Sequence, residues 1–598
     1  MKKTKSRFPL LRLKVAISLA SVMAMPAFGV NFKIGEIDGS FDSTVTLGSS
    51  WATSDSDKKL IGDVNGGRGQ ASVGDDGRLN FKNGETVSKI FKGLHDLELK
   101  YGDGGVFIRG KYWYDFELKD ESRQFKDIYD HNRKEGAQSS GGQILDAFAY
   151  KNYFIGDLPG TVRLGRQVVS WGESTFIQGG INSINPIDVS AFRRPGAEIK
   201  EGLIPVNMFY VSQSLAENLT AEAFYQLEWD QTVVDNCGTF FSSIDVVADG
   251  CDNNYAVGSP AIAPLEPIAA AAGAGFDISS EGVVIKRDGD RDARDSGQFG
   301  IALRWMLDNT ELGAYFINNH SNIPNFSTRT ASASVHASLP GIIGNAEAIA
   351  PGSGIGLAQS TVLGNSSYFL EYPEDIQLYG LSFSTSLPTG TAWTGELSYR
   401  PNMPVQLNGP DLTYALVNHI AGGAVSPIQS SPGSENRGYR RKEFTQIQST
   451  LTHFFDQALM ADRIILVGEL GATFISGMSS ASPTSLNYGR DPVYGSYSIN
   501  GDKHGFYTSQ SWGYRVRTIF DYNDVFAGVN LKPNISWTHD VDGYSPGFNE
   551  GSKAISIGVD ADYRNTYTTG ISYTNFFGGD YNTLVDRDFI AVSFGITF

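Results

Sequence analysis

Along most of this chain apolar and polar residues alternate one for one in runs of roughly ten positions, separated by short turn-forming clusters. Between Val106 and Leu118 one face reads Val106, Ile108, Gly110, Tyr112, Tyr114, Phe116 and Leu118. The other reads Phe107, Arg109, Lys111, Trp113, Asp115 and Glu117. Side chains of a strand point alternately to its two sides, so the rhythm gives one face suited to lipid and one to water. It recurs from Leu219 to Trp229, from Phe299 to Leu307, and at Ile590, Val592, Phe594, Ile596 and Phe598. Strands are expected near 41–51, 93–101, 106–118, 144–155, 161–171, 206–212, 219–230, 298–307, 311–319, 376–386, 391–400, 444–456, 462–476, 513–522, 526–538, 554–563, 567–576 and 588–598.

These number eighteen, with sixteen as the second choice, and an even count lets the last strand close on the first. The fold class expected is all-β, a transmembrane antiparallel barrel. Tight turns such as Gly102-Asp103, Asp308-Asn309, Asn523-Asp524 and Arg564-Asn565 alternate with long segments, so turns and long extracellular loops should lie at opposite ends. Outward Trp51, Trp229 and Trp537 near loop ends, with Trp305 and Trp393 near turn ends, predict two interfacial levels.

The N-terminus changes the picture of where this barrel sits. Lys2, Lys3, Lys5, Arg7, Arg12 and Lys14 precede an apolar run from Val15 to Ala24, and Ala27-Phe28-Gly29 supplies small residues for cleavage. Residues 1–29 therefore read as a signal peptide, too short in its apolar part to span a bilayer, and 30–598 as the barrel. Losing those six charges takes the net charge from −17 to −23, which speaks against a nucleic-acid partner. No later stretch is long and apolar enough for a spanning helix, so strands must cross the membrane. The location expected is the outer membrane of a Gram-negative bacterium, with its lipid as a partner. Insertion there by the barrel-assembly machinery would proceed through the strand ending at Phe598.

Cys237 and Cys251 are the only cysteines. In an oxidising compartment they should form one disulfide, within a loop over 231–297; no histidine or third thiol lies nearby for a metal. Asp288, Asp290, Asp292 and Asp295 alternate with Arg287, Arg291 and Arg294 and lack the glycine and terminal glutamate of a calcium loop, so they read as a solvated loop, and no metal site is expected. The eight histidines are scattered, no hydrolase or zinc motif occurs, and Gly352-Ser353-Gly354-Ile355-Gly356 lacks the strand–helix setting of a phosphate cradle. Neither an enzyme nor a cofactor is expected.

The wetted face is the more telling one. It brings Arg109, Lys111, Arg163, Gln167, Arg304, Glu396, Arg400, Arg515 and Arg517 to the lumen, with Glu222, Glu469 and Lys532 beside them. The connection over 172–205 is long yet rich in Phe176, Ile177, Ile181, Ile184, Ile187 and Phe192, alongside Arg193, Arg194 and Glu198. An apolar segment gains by leaving water, so it should fold into the lumen as an amphipathic constriction.

Several stretches are similar to a known family: Gly39-Ser40-Phe41-Asp42-Ser43-Thr44, Leu164-Gly165-Arg166-Gln167-Val168-Val169-Ser170-Trp171-Gly172-Glu173, Gly179-Gly180-Ile181-Asn182, Asn185-Pro186-Ile187-Asp188, Gly395-Glu396-Leu397-Ser398-Tyr399-Arg400-Pro401, His539-Asp540-Val541 and Asp586-Arg587-Asp588-Phe589. On these the chain resembles the proteobacterial outer-membrane family catalogued as domain of unknown function 1302. The resemblance implies a barrel channel associated with hydrophobic or amphipathic compounds such as sterols and sphingoid lipids. The expected function is passive passage of small hydrophobic or amphipathic solutes. The alternatives are a substrate-specific porin for small carboxylates, served by Arg304, Arg400, Arg515 and Arg517, and a plugged structural or surface-display barrel.

Overall fold

The structure is a computed structural model and describes residues 29–598 apart from 253, 259–265 and 421–425. The leader expected over 1–29 falls, but for Gly29, outside the described residues. The chain forms β1 (Ile37–Ala52), β2 (Thr86–Tyr101), β3 (Gly104–Asp115), β4 (Ser140–Ile155), β5 (Leu158–Gln167), β6 (Val206–Ala216), β7 (Leu219–Gln226), β8 (Phe299–Leu307) and β9 (Thr310–Asn319). It continues through β10 (Ile376–Ser386), β11 (Ala392–Gln406), β12 (Tyr439–Asp456), β13 (Arg463–Ile475), β14 (Gln510–Phe526), β15 (Val529–Asp542), β16 (Lys553–Tyr563), β17 (Tyr567–Phe577) and β18 (Phe589–Thr597).

Each strand pairs antiparallel with the next, and β18 pairs with β1 from Thr44↔Thr597 to Ala52↔Phe589, closing an eighteen-stranded barrel. A short strand, Val30–Ile34, folds back on Ile37–Phe41 of β1 and follows on from the end of β18 along the same edge. Closure matters because a bilayer offers no hydrogen bonds to an open edge.

The alternation does what the two solvents require. Leu47, Ile144, Leu164, Ile301, Leu381, Leu451, Leu470, Ile557 and Ile571 stand exposed around the outside, an apolar belt too continuous for a water-facing surface. On β3, Lys111, Trp113 and Asp115 are buried while Val106 is exposed.

Several boundaries differ from the sequence expectation. The third strand ends at Asp115, whose carboxylate caps a short helix Phe116–Asp120 by accepting from the N–H of Glu117 and Leu118, so Glu117 is not a strand residue. The fifth strand stops at Gln167, and Val169 and Trp171 already belong to the inward segment. Asn523-Asp524 lies within an irregularity of β14, and the turn follows at Ala527-Gly528. Trp229 is not an outward strand residue; it donates to the Ser321 carbonyl and meets Tyr372 edge-on.

At the loop end, the long connections form a cap with its own apolar cores. One gathers Tyr255, Val283, Ile285, Leu357, Val362, Tyr368 and Leu416, drawn from segments far apart in sequence. Another joins Leu407, Leu412, Phe444, Ile475 and Tyr488. Gly354 opens a helix, Gly354–Gly364, but a helix, Ala333–Ile349, rather than a strand precedes it. Cys237 and Cys251 form a disulfide in the cap. Asp288 is ion-paired with Arg329 of the next cap loop and Asp290 with the nearby Arg287, while Asp292 and Asp295 lie exposed to solvent.

Candidate functional site: a tethered constriction beneath a capped cavity

Residues 168–205 cross the inside of the barrel. Trp171, Ile181 and Ile184 are fully buried against the inward residues Tyr210, Phe224, Ala302, Tyr315, Ile317 and Leu378. Burial of each large side chain contributes about 1.5–3 kcal/mol. The Trp171 indole also donates to Glu222 at 2.7 Å.

Two wall carboxylates hold the backbone. Glu396 accepts the N–H of Glu173, Ser174 and Ile181 at 2.6, 3.2 and 2.9 Å. Glu469 accepts those of Thr175, Phe176 and Ile177 at 2.9, 2.6 and 2.7 Å. The clasp requires glycine: a β-carbon at Gly180, or at Gly172 with its φ of +89°, would collide with the Glu396 carboxylate. Arg400 donates to the carbonyls of Gly179 and Gly180 at 2.9 and 2.7 Å.

Two wall ammonium groups hold the far half. Lys111 pairs with Asp188 at 2.9 Å and Lys92 with Glu201 at 2.6 Å, all four side chains being almost fully buried. Asp188 caps the helix Val189–Arg193, and Glu198 forms a capping box with Glu201. Phe192 and Ile199 remain exposed beside Gln178, Asn182 and Arg193, so the open face of the segment is mixed, apolar and polar.

The residues expected to face solute thus divide. Lys111, Glu396 and Arg400 serve as tethers of the segment. Gln167 is fully buried and donates to the Met208 carbonyl at 2.9 Å. Arg109 is neutralised by Asp96 and Asp146, and Arg304 by Glu222 and Glu311. Arg163 lies over the Tyr210 ring at 4.1 Å. Arg194 turns away from the lumen, covering Trp113 and donating to the Gly136 carbonyl, while Arg193 lies over Phe241. Arg515 pairs with Asp540 at 2.6 Å. Arg517 has no ion-pair partner among the described residues, and its Nε finds no hydrogen bond. The expected line of four free arginines, Arg304, Arg400, Arg515 and Arg517, is therefore not there.

Above the constriction lies a cavity of about 690 Å³ between cap and barrel mouth. Val73, Tyr255, Phe326, Tyr414, Tyr507 and Phe548 give it a largely apolar lining, with Asp540 among the polar residues. Its size falls in the range of pockets that enclose a small organic molecule. Phe548 joins the cavity to the constriction, since a β-carbon at Gly471 would touch Phe548 Cζ at 3.3 Å and Ile177 Cδ1 at 2.7 Å. Sequence reasoning missed these lining residues because they come from loops without periodicity.

The cap side also holds buried Asp75, Asp76 and Glu281, whose oxygens converge. Lys126 sits on Asp76 and Glu281 at 2.8 and 2.5 Å, and Asp75 accepts from Gly62 N–H at 2.8 Å. Burial pushes the Asp75 carboxyl up to about 6, and burial with the charge of Asp245 pushes Asp76 up as well. A carboxyl with a raised folded value stabilises the fold fully below its unfolded value of about 4, and that contribution is lost as pH rises through the folded value. Exchange protection of the Gly62 and Asp76 amides, corrected for intrinsic rate, is therefore expected to fall between pH 5 and 8. In the Asp75→Asn variant the step near pH 6 should vanish, and an unchanged profile would count against the assignment.

Residues 10–598 match the family described as "Protein of unknown function (DUF1302)". No curated protein matches the chain. Among solved structures, the outer membrane channel DcaP of Acinetobacter baumannii is 9% identical at a TM-score of 0.34, covering 96% of this chain and 100% of its own. OccAB1 of the same species gives 9% and 0.39, covering 96% and 98%. OpdK of Pseudomonas aeruginosa, solved with vanillate, gives 9% and 0.36, covering 93% and 98%. Likeness this slight assigns neither substrate nor mechanism.

Proposed function

From the premise that the chain belongs to the DUF1302 family, whose description names no activity, we propose that it is an outer-membrane channel for passive passage of small hydrophobic or amphipathic solutes. The observation that carries this reading is the apolar cavity of about 690 Å³, which meets the inward segment at Phe548. A solute leaving water would gain contact area there, then slide past the exposed Phe192 and Ile199 of the constriction. The small-carboxylate porin is less favoured, because Arg304 and Arg400 are committed to other partners.

The test is entry of N-phenyl-1-naphthylamine into intact cells. Expression of the wild-type protein should raise the entry rate severalfold over a deletion strain, and Phe326→Arg, which projects a charge into the cavity, should cancel most of that gain. Equal entry with and without the protein would overturn the channel reading and favour the plugged barrel.

A further inference from the structure

We propose that the solute is an anionic amphiphile, its tail housed in the cavity and its acidic head received by Arg517, with Arg515 and Asp540 as the passage between them. This rests on the channel reading and adds the charge of the substrate.

The floor of the cavity includes Asp540 and Phe548. Arg515 is ion-paired to Asp540 at 2.6 Å and lies over the Phe548 ring at 5.8 Å, so the first cation below the cavity already has an anion and an aromatic face against it. β14 runs from its loop end toward the turn end, which places Arg517 on the same inward face about 7 Å deeper.

At that level the neighbouring residues are neutral. Arg517 pairs in register with Val467 and Ser536, Ser536 with Ser556, and Ser556 with Thr574. The closest inward acids on these strands have other partners: Glu469 holds the N–H groups of residues 175–177, and Asp560 accepts from Asn534 at 3.0 Å. Arg517 is thus a half-buried guanidinium with an unused donor and no counter-ion among the described residues.

A carboxylate or sulfate head would give this half-buried guanidinium both a counter-ion and acceptors for two parallel N–H···O bonds. The side chains across the row, Ser536, Ser556 and Thr574, are small and uncharged, so none of them competes as a counter-ion for the guanidinium. An uncharged hydroxyl head would accept a hydrogen bond but leave the guanidinium without a counter-ion.

The experiment is calorimetric titration of the full chain in nanodiscs with octanoate, octan-1-ol and acetate at pH 7. Octanoate should bind at least tenfold more tightly than octan-1-ol or acetate. Arg517→Gln should bring octanoate down to the level of octan-1-ol while leaving octan-1-ol unchanged, and Arg517→Lys, which keeps the charge but loses the paired N–H geometry, should fall between the wild type and Arg517→Gln, separating charge from any effect on folding. Equal binding of octanoate and octan-1-ol to the wild type, or an octanoate affinity untouched in Arg517→Gln, overturns the proposal while leaving the channel reading standing. Failure of all three probes to bind would sink both.

Discussion

Replacing Glu396 and Glu469 together with alanine is expected to free the first half of the inward segment from the wall and raise single-channel conductance severalfold. Six backbone N–H groups lose their acceptors in that variant. Hydrogen bonds to a charged group contribute about 1.5–3 kcal/mol each, so even with strong non-additivity the loss is on the order of 5 kcal/mol or more. The apolar contacts of Trp171, Ile181 and Ile184 offset part of this, and the closed barrel itself is left intact. Planar-bilayer recording should show larger and noisier currents, and thermolysin should cut near Phe176 where the wild type resists. The paired glutamine variant keeps one acceptor per site and should fall between the two. Wild-type conductance together with protease resistance in the alanine variant would refute the clasp.

The second large effect concerns Lys111. Its replacement by methionine leaves the Asp188 carboxylate almost fully buried without its partner, at 2% side-chain exposure. Breaking one side of a buried pair costs about 3–5 kcal/mol, which corresponds to a fall in hydrogen-exchange protection of roughly 10²- to 5 × 10³-fold over the far half of the segment. Adding Asp188→Asn removes the orphaned charge and should restore most of the protection, because the amide oxygen still accepts from the Ala191 N–H at 2.9 Å in the helix cap. Full protection in Lys111→Met alone would show that the pair does not hold the segment.

What could be read from the sequence, and what could not, follows from the range of the interactions. The two-residue rhythm is local, and it revealed all eighteen barrel strands, including the short run at 206–212 that extends to Ala216 in the structure. Lys92 was missed for a local reason: the second strand was expected to begin at residue 93, but it starts at Thr86 and puts Lys92 on the inward face. Trp171 was expected as the last residue of a strand over 161–171, yet the strand stops at Gln167 and the indole is buried within the inward segment, where Gly172 has a positive φ.

Partners were beyond reach. That Arg304 is flanked by Glu222 and Glu311, and Arg515 by Asp540, depends on pairing register between strands and on which inward acids then come within reach. The cap was more opaque still, because its cores join segments such as 246–285 and 357–368, which share no periodicity and meet only in three dimensions.

That shared cap constrains anyone who wishes to present a foreign peptide on this protein. The helical hairpin formed by Ala333–Ile349 and Gly354–Gly364 has a tip at Gly352, where an added β-carbon would meet nothing within 4 Å, and a graft there should cost only the local hydrogen bond of the Gly352 N–H to Glu347 while leaving the cap cores undisturbed. A graft within 407–416 would split a core that holds Leu407 and Leu412, and antibodies raised against such a variant would meet a rearranged surface across several loops at once.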